Sequence, residues 1–225
     1  MKNSQASQIV GVIFAAADLR RAVRMQNPPD LFELRLDALV DRLDETKTGI
    51  EKLRRPLIVT ARHPREGGAN RLSIRERRAL LLQFLPDAAW IDIELRSACA
   101  LAAVWEEAGA RHIRRIISFH DFSGTPSRAR LDRIARAAQS LGADVLKIAT
   151  RTDTASEFAR LLEVFTTTAP HLPIAAMGLG RLGKRSRREL MRAGSVLNYA
   201  HLGEASVPGQ PSLRELRRWM LGVGP

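Results

Sequence analysis

With 225 residues, 45% of them hydrophobic and 27% charged, the chain can bury a sizeable core. That excludes intrinsically disordered, collagen-like and coiled-coil classes and leaves one domain, two small ones, or an α/β barrel near the short end of its range. Its 36 basic and 24 acidic side chains give a formal charge of +12, which raises a polyanion as partner until the charge is placed along the chain.

From the N-terminus, Lys2 ahead of the apolar run Ile9 to Ala17 imitates a signal peptide. The residues between are polar (Asn3, Ser4, Gln5, Ser7, Gln8), and the run reads as a buried strand entering a helix. No stretch approaches the roughly 20 apolar residues of a membrane span, so no membrane partner is expected. The pattern predicts strands at Gln8–Phe14, Leu31–Leu36, Leu57–Ala61, Trp90–Leu95, Ile113–His120, Asp144–Ala149, Pro173–Met177 and Ser195–Ala200. Helical periodicity falls between them, near 16–26, 43–53, 73–85, 97–108, 126–140, 153–168, 185–193 and 212–221. A strand followed by a helix, repeated along the chain without a linker, predicts a single α/β domain over 1–225, a (β/α)8 TIM barrel.

The period of two inside the strands places chemistry. Phe32, Leu34 and Leu36 share one face, and Glu33, Arg35 and Asp37 the other. Ile91-Asp92-Ile93-Glu94-Leu95 and Leu146-Lys147-Ile148 split the same way, and Ser118 and His120 share a face. If the aliphatic faces lie under the helices, Glu33, Arg35, Asp92, Glu94, His120 and Lys147 point into the barrel, where charge of both signs marks a candidate site or a purely structural set of ion pairs.

Five lysines (Lys2, Lys47, Lys52, Lys147 and Lys184) leave 31 of the 36 basic residues as arginine. A chain that uses arginine for charge makes a lysine in an apolar strand worth questioning, because a neutral amine does chemistry that guanidinium cannot. Among aliphatics the pKa of Lys147 would fall, and its amine could attack a ketone or aldehyde to form an imine. His120, one strand away, could then remove the acidified proton, oriented by Glu66 or Glu94. The segment from Gly178 through Gly180 to Gly183 fits G-x-G-x-x-G but follows the seventh strand, and Arg185 stands where a phosphate loop needs Ser or Thr. It reads as a flexible loop. Ser186 and Glu189 have capping-box spacing, which would put Arg187 in a first helical turn as an anion anchor, or leave it a solvated arginine among its neighbours. One cysteine, Cys99, excludes an internal disulfide and a Cys-rich zinc site and fits a reducing, cytoplasmic compartment. The five histidines show no metal spacing, and no cofactor is expected.

These residues resemble the type I 3-dehydroquinate dehydratase family, nearly end to end. Glu33-Leu-Arg35-Leu-Asp37 is similar to its E-x-R-x-D strand, and Arg62 with Glu66-Gly67-Gly68 to its R-x-x-x-E-G-G loop. Ser118-Phe119-His120-Asp121-Phe122 resembles S-x-H-D-F and Lys147-Ile148-Ala149 resembles K-I-A, while Met177 to Arg187 and Ala205 to Gln210 look like its M…G…S-R and A-S-x-P-G-Q stretches. The resemblance implies a (β/α)8 enzyme that removes water from 3-dehydroquinate, commonly as a homodimer. Lys147 would form the imine, His120 would act as base and then acid, and Glu66 would orient it. Arg187 would bind the substrate carboxylate, and Glu33, Arg35 and Arg62 the ring hydroxyls. Met177 would line the site, with Ser206 and Gln210 closing over it. Three departures are visible. Only seven residues precede the first strand, fewer than the bottom-closing hairpin of longer members; Phe119 stands at an often polar position; and arginines crowd Arg187. A class I aldolase would share Lys147 but leave the Arg62–Glu66 and Ser206–Gln210 matches unused. An RNA-binding protein would need more aromatic platforms than three Trp, one Tyr and seven Phe supply.

Overall fold

Eight strands, each followed by a helix, run in sequence through the computed structural model, which describes residues 7–222. They are β1 (Gln8–Ile13), α1 (Ala16–Val23), β2 (Leu31–Arg35), α2 (Leu43–Ile50), β3 (Leu57–Thr60), α3 (Ile74–Phe84), β4 (Trp90–Glu94) and α4 (Ala102–Ala110). The second half holds β5 (Arg114–Asp121), α5 (Arg128–Ser140), β6 (Val145–Arg151), α6 (Ala155–Thr168), β7 (Ile174–Leu179), α7 (Gly183–Arg192), β8 (Leu197–His201) and α8 (Leu213–Met220). All paired strands are parallel, in the order β7-β6-β5-β4-β3-β2-β1-β8. The seam between β7 and β8 is drawn together at its base, where Val196 N–H donates to the Ile174 carbonyl (3.1 Å) and Ala176 N–H to Ser195 Oγ (3.2 Å). This is the (β/α)8 barrel expected from the alternation. The short N-terminus without a hairpin falls on positions outside the described residues. Among the described residues no helix is long and apolar enough to cross a membrane.

The period of two sorts the core into two parts. Phe32, Leu34, Ile91, Ile93, Ile117, Phe119, Leu146 and Ile148 face outward and pack under the helices. Inside, Leu31, Ile58, Trp90, Ile116, Val145 and Leu197 form an apolar plug near the strand N-termini, each large side chain contributing roughly 1.5–3 kcal/mol on burial. The Arg114 guanidinium lies 3.9 Å over the Trp90 ring. Directly above the plug, one pleat further along each strand, come the polar positions. Phe119, the family departure, thus turns away from the barrel interior and packs beside Arg130 on α5.

Two expected helix starts are corrected. Ser97 Oγ donates to the Glu94 carboxylate at 3.0 Å, holding Leu95–Ser97 in a 3-10 turn, so α4 begins only at Ala102. Helix α7 begins at Gly183, before the proposed Ser186 cap, and Ser186 Oγ bonds back to the Gly183 carbonyl at 2.9 Å inside the helix. Ser186 and Glu189 therefore form no capping box, and Arg187 sits beyond the first turn. Capping boxes do start α3 (Ser73 with Glu76), α6 (Thr154 with Glu157) and α8 (Ser212 with Glu215).

Candidate active site

The polar layer is an ion-pair lattice built by β2, β4 and β6 and the segment after β3. Lys147 on β6 is buried, and its Nζ donates to Glu33 Oε1 (2.9 Å) and Asp92 Oδ2 (3.0 Å). This corrects the expectation of a lysine among aliphatics: its near neighbours are two carboxylates and the Tyr199 ring, 3.8 Å from Nζ. Arg62 is buried beside them, forked onto Asp92 (3.0 and 2.8 Å), and also donates to Glu94 (3.2 Å) and Ser118 Oγ (2.6 Å). Burial disfavours both charges, yet their mutual attraction holds Asp92 well below the usual carboxylate range and Arg62 well above its ordinary value. Glu33 accepts from Thr60 and Lys147 through Oε1, and the residue lines the cavity.

The histidine is held by a loop shaped for it. After β3 the chain enters a 3-10 turn, Pro64–Glu66, and leaves it through Gly67 at φ 85°. A side chain at Gly68 would place a Cβ 2.6 Å from the Arg62 carbonyl oxygen. The two glycines thus fold the loop tightly enough to bring Glu66 to β5. There Glu66 Oε2 accepts from the His120 backbone N–H (2.9 Å) and lies 3.1 Å from its Nδ1, leaving Nε2 as the free ring nitrogen. Burial, with the Arg62 and Lys147 cations, pushes the His120 pKa well below its ordinary value, so the ring is a neutral base. Burial and neighbouring Glu94 push Glu66 up to about 7. Glu94 itself is committed elsewhere, to Arg62, the His63 N–H and the buried Arg77, so Glu66 is the carboxylate that meets the histidine.

Arg35 on β2 is clamped by Asp37 (3.0 and 2.9 Å) and the Gly67 carbonyl (2.9 Å). Asp37 also accepts from the Arg62 and Ala69 N–H groups (3.0 and 2.9 Å), which ties the β2 and β3 ends together. Across the cavity Arg187 is buried, and its contacts are carbonyls, Gly178 at 2.9 Å and Tyr199 at 3.4 Å. It has no acidic partner among the described residues, and burial lowers its pKa to about 10, still a cation at neutral pH. None of the crowding arginines lines the cavity. The Arg181 side chain donates to the Asp153 carbonyl (3.1 Å), and Arg188 and Arg192 lie beside Glu189 (3.7 and 3.3 Å). In the loop after β8, Ser206 donates from both N–H and Oγ to Gln210 Oε1 (3.0 Å each), and Gly180 N–H donates to the Pro208 carbonyl at 3.3 Å, which pins this loop against the end of β7.

Ten site positions named from the sequence line one cavity at the C-terminal ends of the strands: Glu33, Arg35, Arg62, Glu66, His120, Lys147, Met177, Arg187, Ser206 and Gln210; Asp92 and Glu94, also expected to point inward, are buried in the ion-pair lattice and do not line it. Sequence reasoning missed Tyr199, Phe122, Val12, Leu179 and Val207, which line it too. Tyr199 was within reach of the same period of two, since Leu197 and Tyr199 share the inward face of β8. Among the described residues no group of three or more His, Cys, Asp or Glu side chains could hold a metal ion.

The chain matches the family model "Type I 3-dehydroquinase" over residues 14–221. It is 34% identical over 198 residues to the 3-dehydroquinate dehydratase of Methanocaldococcus jannaschii, covering 85% of this chain and 87% of that one. It is 33% identical over 192 residues to the chloroplastic bifunctional 3-dehydroquinate dehydratase/shikimate dehydrogenase of Arabidopsis thaliana, covering 83% of this chain and 32% of that longer protein. The crystal structure of 3-dehydroquinate dehydratase from Geobacillus kaustophilus superposes with a TM-score of 0.86 at 26% identity, over 96% of this chain and 91% of that one. The chain therefore belongs to the type I 3-dehydroquinase family.

Proposed function

We propose that this cavity removes water from 3-dehydroquinate through an imine on Lys147, giving 3-dehydroshikimate. The observation that carries the reading is the placement of a buried lysine, a neutral histidine and a buried arginine with no acidic partner among the described residues in one cavity. Arg187, with no acid to neutralise it, takes the substrate carboxylate as a charge-assisted pair. This sets the C3 ketone against Lys147. Glu33 and Asp92, each in hydrogen-bond contact with Nζ, orient it for attack. In the iminium that follows, the C2–H bond is acidified because its electrons can flow into C=N. His120 takes that proton and returns it to the C1 hydroxyl, which departs as water from the same face. Hydrolysis of the imine frees the lysine and the product.

Glu66 acts on His120 rather than on substrate. Its carboxylate fixes the ring through Nδ1 and stabilises the imidazolium formed at half-reaction. Glu33 and Arg35 receive the ring hydroxyls, Arg62 braces the lattice from below, and Ser206 with Gln210 closes the top. With this goes a single catalytic domain over 1–225, acting as a cytoplasmic homodimer on a free small molecule; the one cysteine and the family resemblance support it.

A His120→Ala variant separates the two halves of the chemistry. It is expected to form the lysine adduct still, while the conjugated-enone absorbance of product appears about 10²–10⁴-fold more slowly. Full activity in that variant would move the base elsewhere.

A further inference from the structure

Tyr199 is the chain's one tyrosine. It stands on β8 with 4% of its surface exposed and lines the cavity. Its hydroxyl is buried and has no hydrogen-bond partner among the described residues, although buried hydroxyls are nearly always satisfied and an exception calls for a reason. The ring explains itself, since it packs on the barrel interior and covers the Lys147 ammonium at 3.8 Å. A phenylalanine would do both, so the oxygen is what remains unexplained. Burial, together with the Glu33 and Asp92 carboxylates, holds the phenol well above its usual pKa, so it keeps its proton and is available as a donor.

We propose that the Tyr199 hydroxyl is a further catalytic group of imine formation, donating a hydrogen bond to the substrate ketone oxygen as that oxygen becomes the carbinolamine hydroxyl and leaves as water. The inference rests on Lys147 being the imine-forming residue. In that step the Nζ lone pair forms the C–N bond and the C=O π pair moves onto oxygen. The C–O bond then breaks as C=N forms, so an ammonium and a ketone become an iminium and water, and both protons lost by nitrogen end on the departing oxygen. The reacting carbon is bonded to the nitrogen that the Tyr199 ring covers, which places its oxygen beside this side chain. Negative charge builds on that oxygen at the moment of attack, and a donor waiting unbonded in a dry site needs no reorganisation to meet it.

The test is Tyr199→Phe, measured two ways. Rapid quenching with borohydride in the presence of 3-dehydroquinate is expected to show the adduct still on Lys147 but forming about tenfold more slowly than in the unaltered protein. Thermal unfolding is expected at an unchanged or higher temperature, because the variant removes an unsatisfied buried hydroxyl. Adduct formation at the unaltered rate, or a lowered unfolding temperature, would overturn the inference. The unaltered protein reports separately on the underlying reading: no adduct on its Lys147 would overturn the imine and this inference with it.

Discussion

The two ends of the cavity treat charge in opposite ways. Around Lys147 each ion has a partner at bonding distance: Lys147 with Glu33 and Asp92, Arg62 with Asp92 and Glu94, Glu94 with Arg77. Across from it Arg187 is also buried and, among the described residues, its hydrogen bonds go to backbone carbonyls. Paired charges hold geometry in the resting protein, whereas a buried cation without an acid stores unfavourable solvation that an incoming carboxylate relieves. On the proposed function the first end reacts and the second captures.

Substitution at both ends should expose the difference. Asp92→Ala removes the carboxylate that Arg62 and Lys147 share, leaving the two buried cations only Glu94 and Glu33, and a loss of about 3–5 kcal/mol in denaturant unfolding is expected, with activity abolished. Arg187→Met removes a cation with no acid to strand, so stability should hold or rise. Its cost should appear in KM, raised about 10–100-fold, since the lost pair is to substrate. A stable Asp92 variant or an unstable Arg187 variant would erase the contrast.

A smaller effect separates Glu66 from both ends. Its folded pKa is about 7 against an ordinary 4.5, so the folded protein binds a proton that the unfolded chain has already released. This group's contribution to stability is therefore favourable below about 4.5 and declines as pH rises to 7. For catalysis the sign is the reverse: only the ionised carboxylate stabilises the His120 imidazolium, so kcat should climb as pH passes through about 7. In Glu66→Gln that limb should flatten, with kcat about tenfold lower on its alkaline side. The unfolding temperature of the variant should gain on that of the unaltered protein over the same interval. An unchanged pH profile would detach Glu66 from His120.

Much of this was readable from residue order. The charged pleat of β2, β4 and β6 follows from alternation alone, because one face of each strand is aliphatic and must lie under the helices. Lys147 stood out against a chain that otherwise prefers arginine. What could not be read were distances across strands: nothing local says that Asp92 is shared by Arg62 and Lys147, since that sharing depends on the stagger of β3, β4 and β6 around the barrel. Ser186 misled for a related reason. Its spacing to Glu189 fits a cap, but Leu182 N–H bonds to the Thr152 carbonyl at 2.9 Å, and α7 starts one residue later. The direction of Arg187 among its neighbouring arginines was equally hidden, because it is set by carbonyls of other strands, Gly178 on β7 and Tyr199 on β8.

Borohydride reduction with 3-dehydroquinate, followed by peptide mass mapping, tests the imine most directly. A single reduced adduct on Lys147 is the expected result. An adduct on another residue, or none while turnover continues, would contradict it.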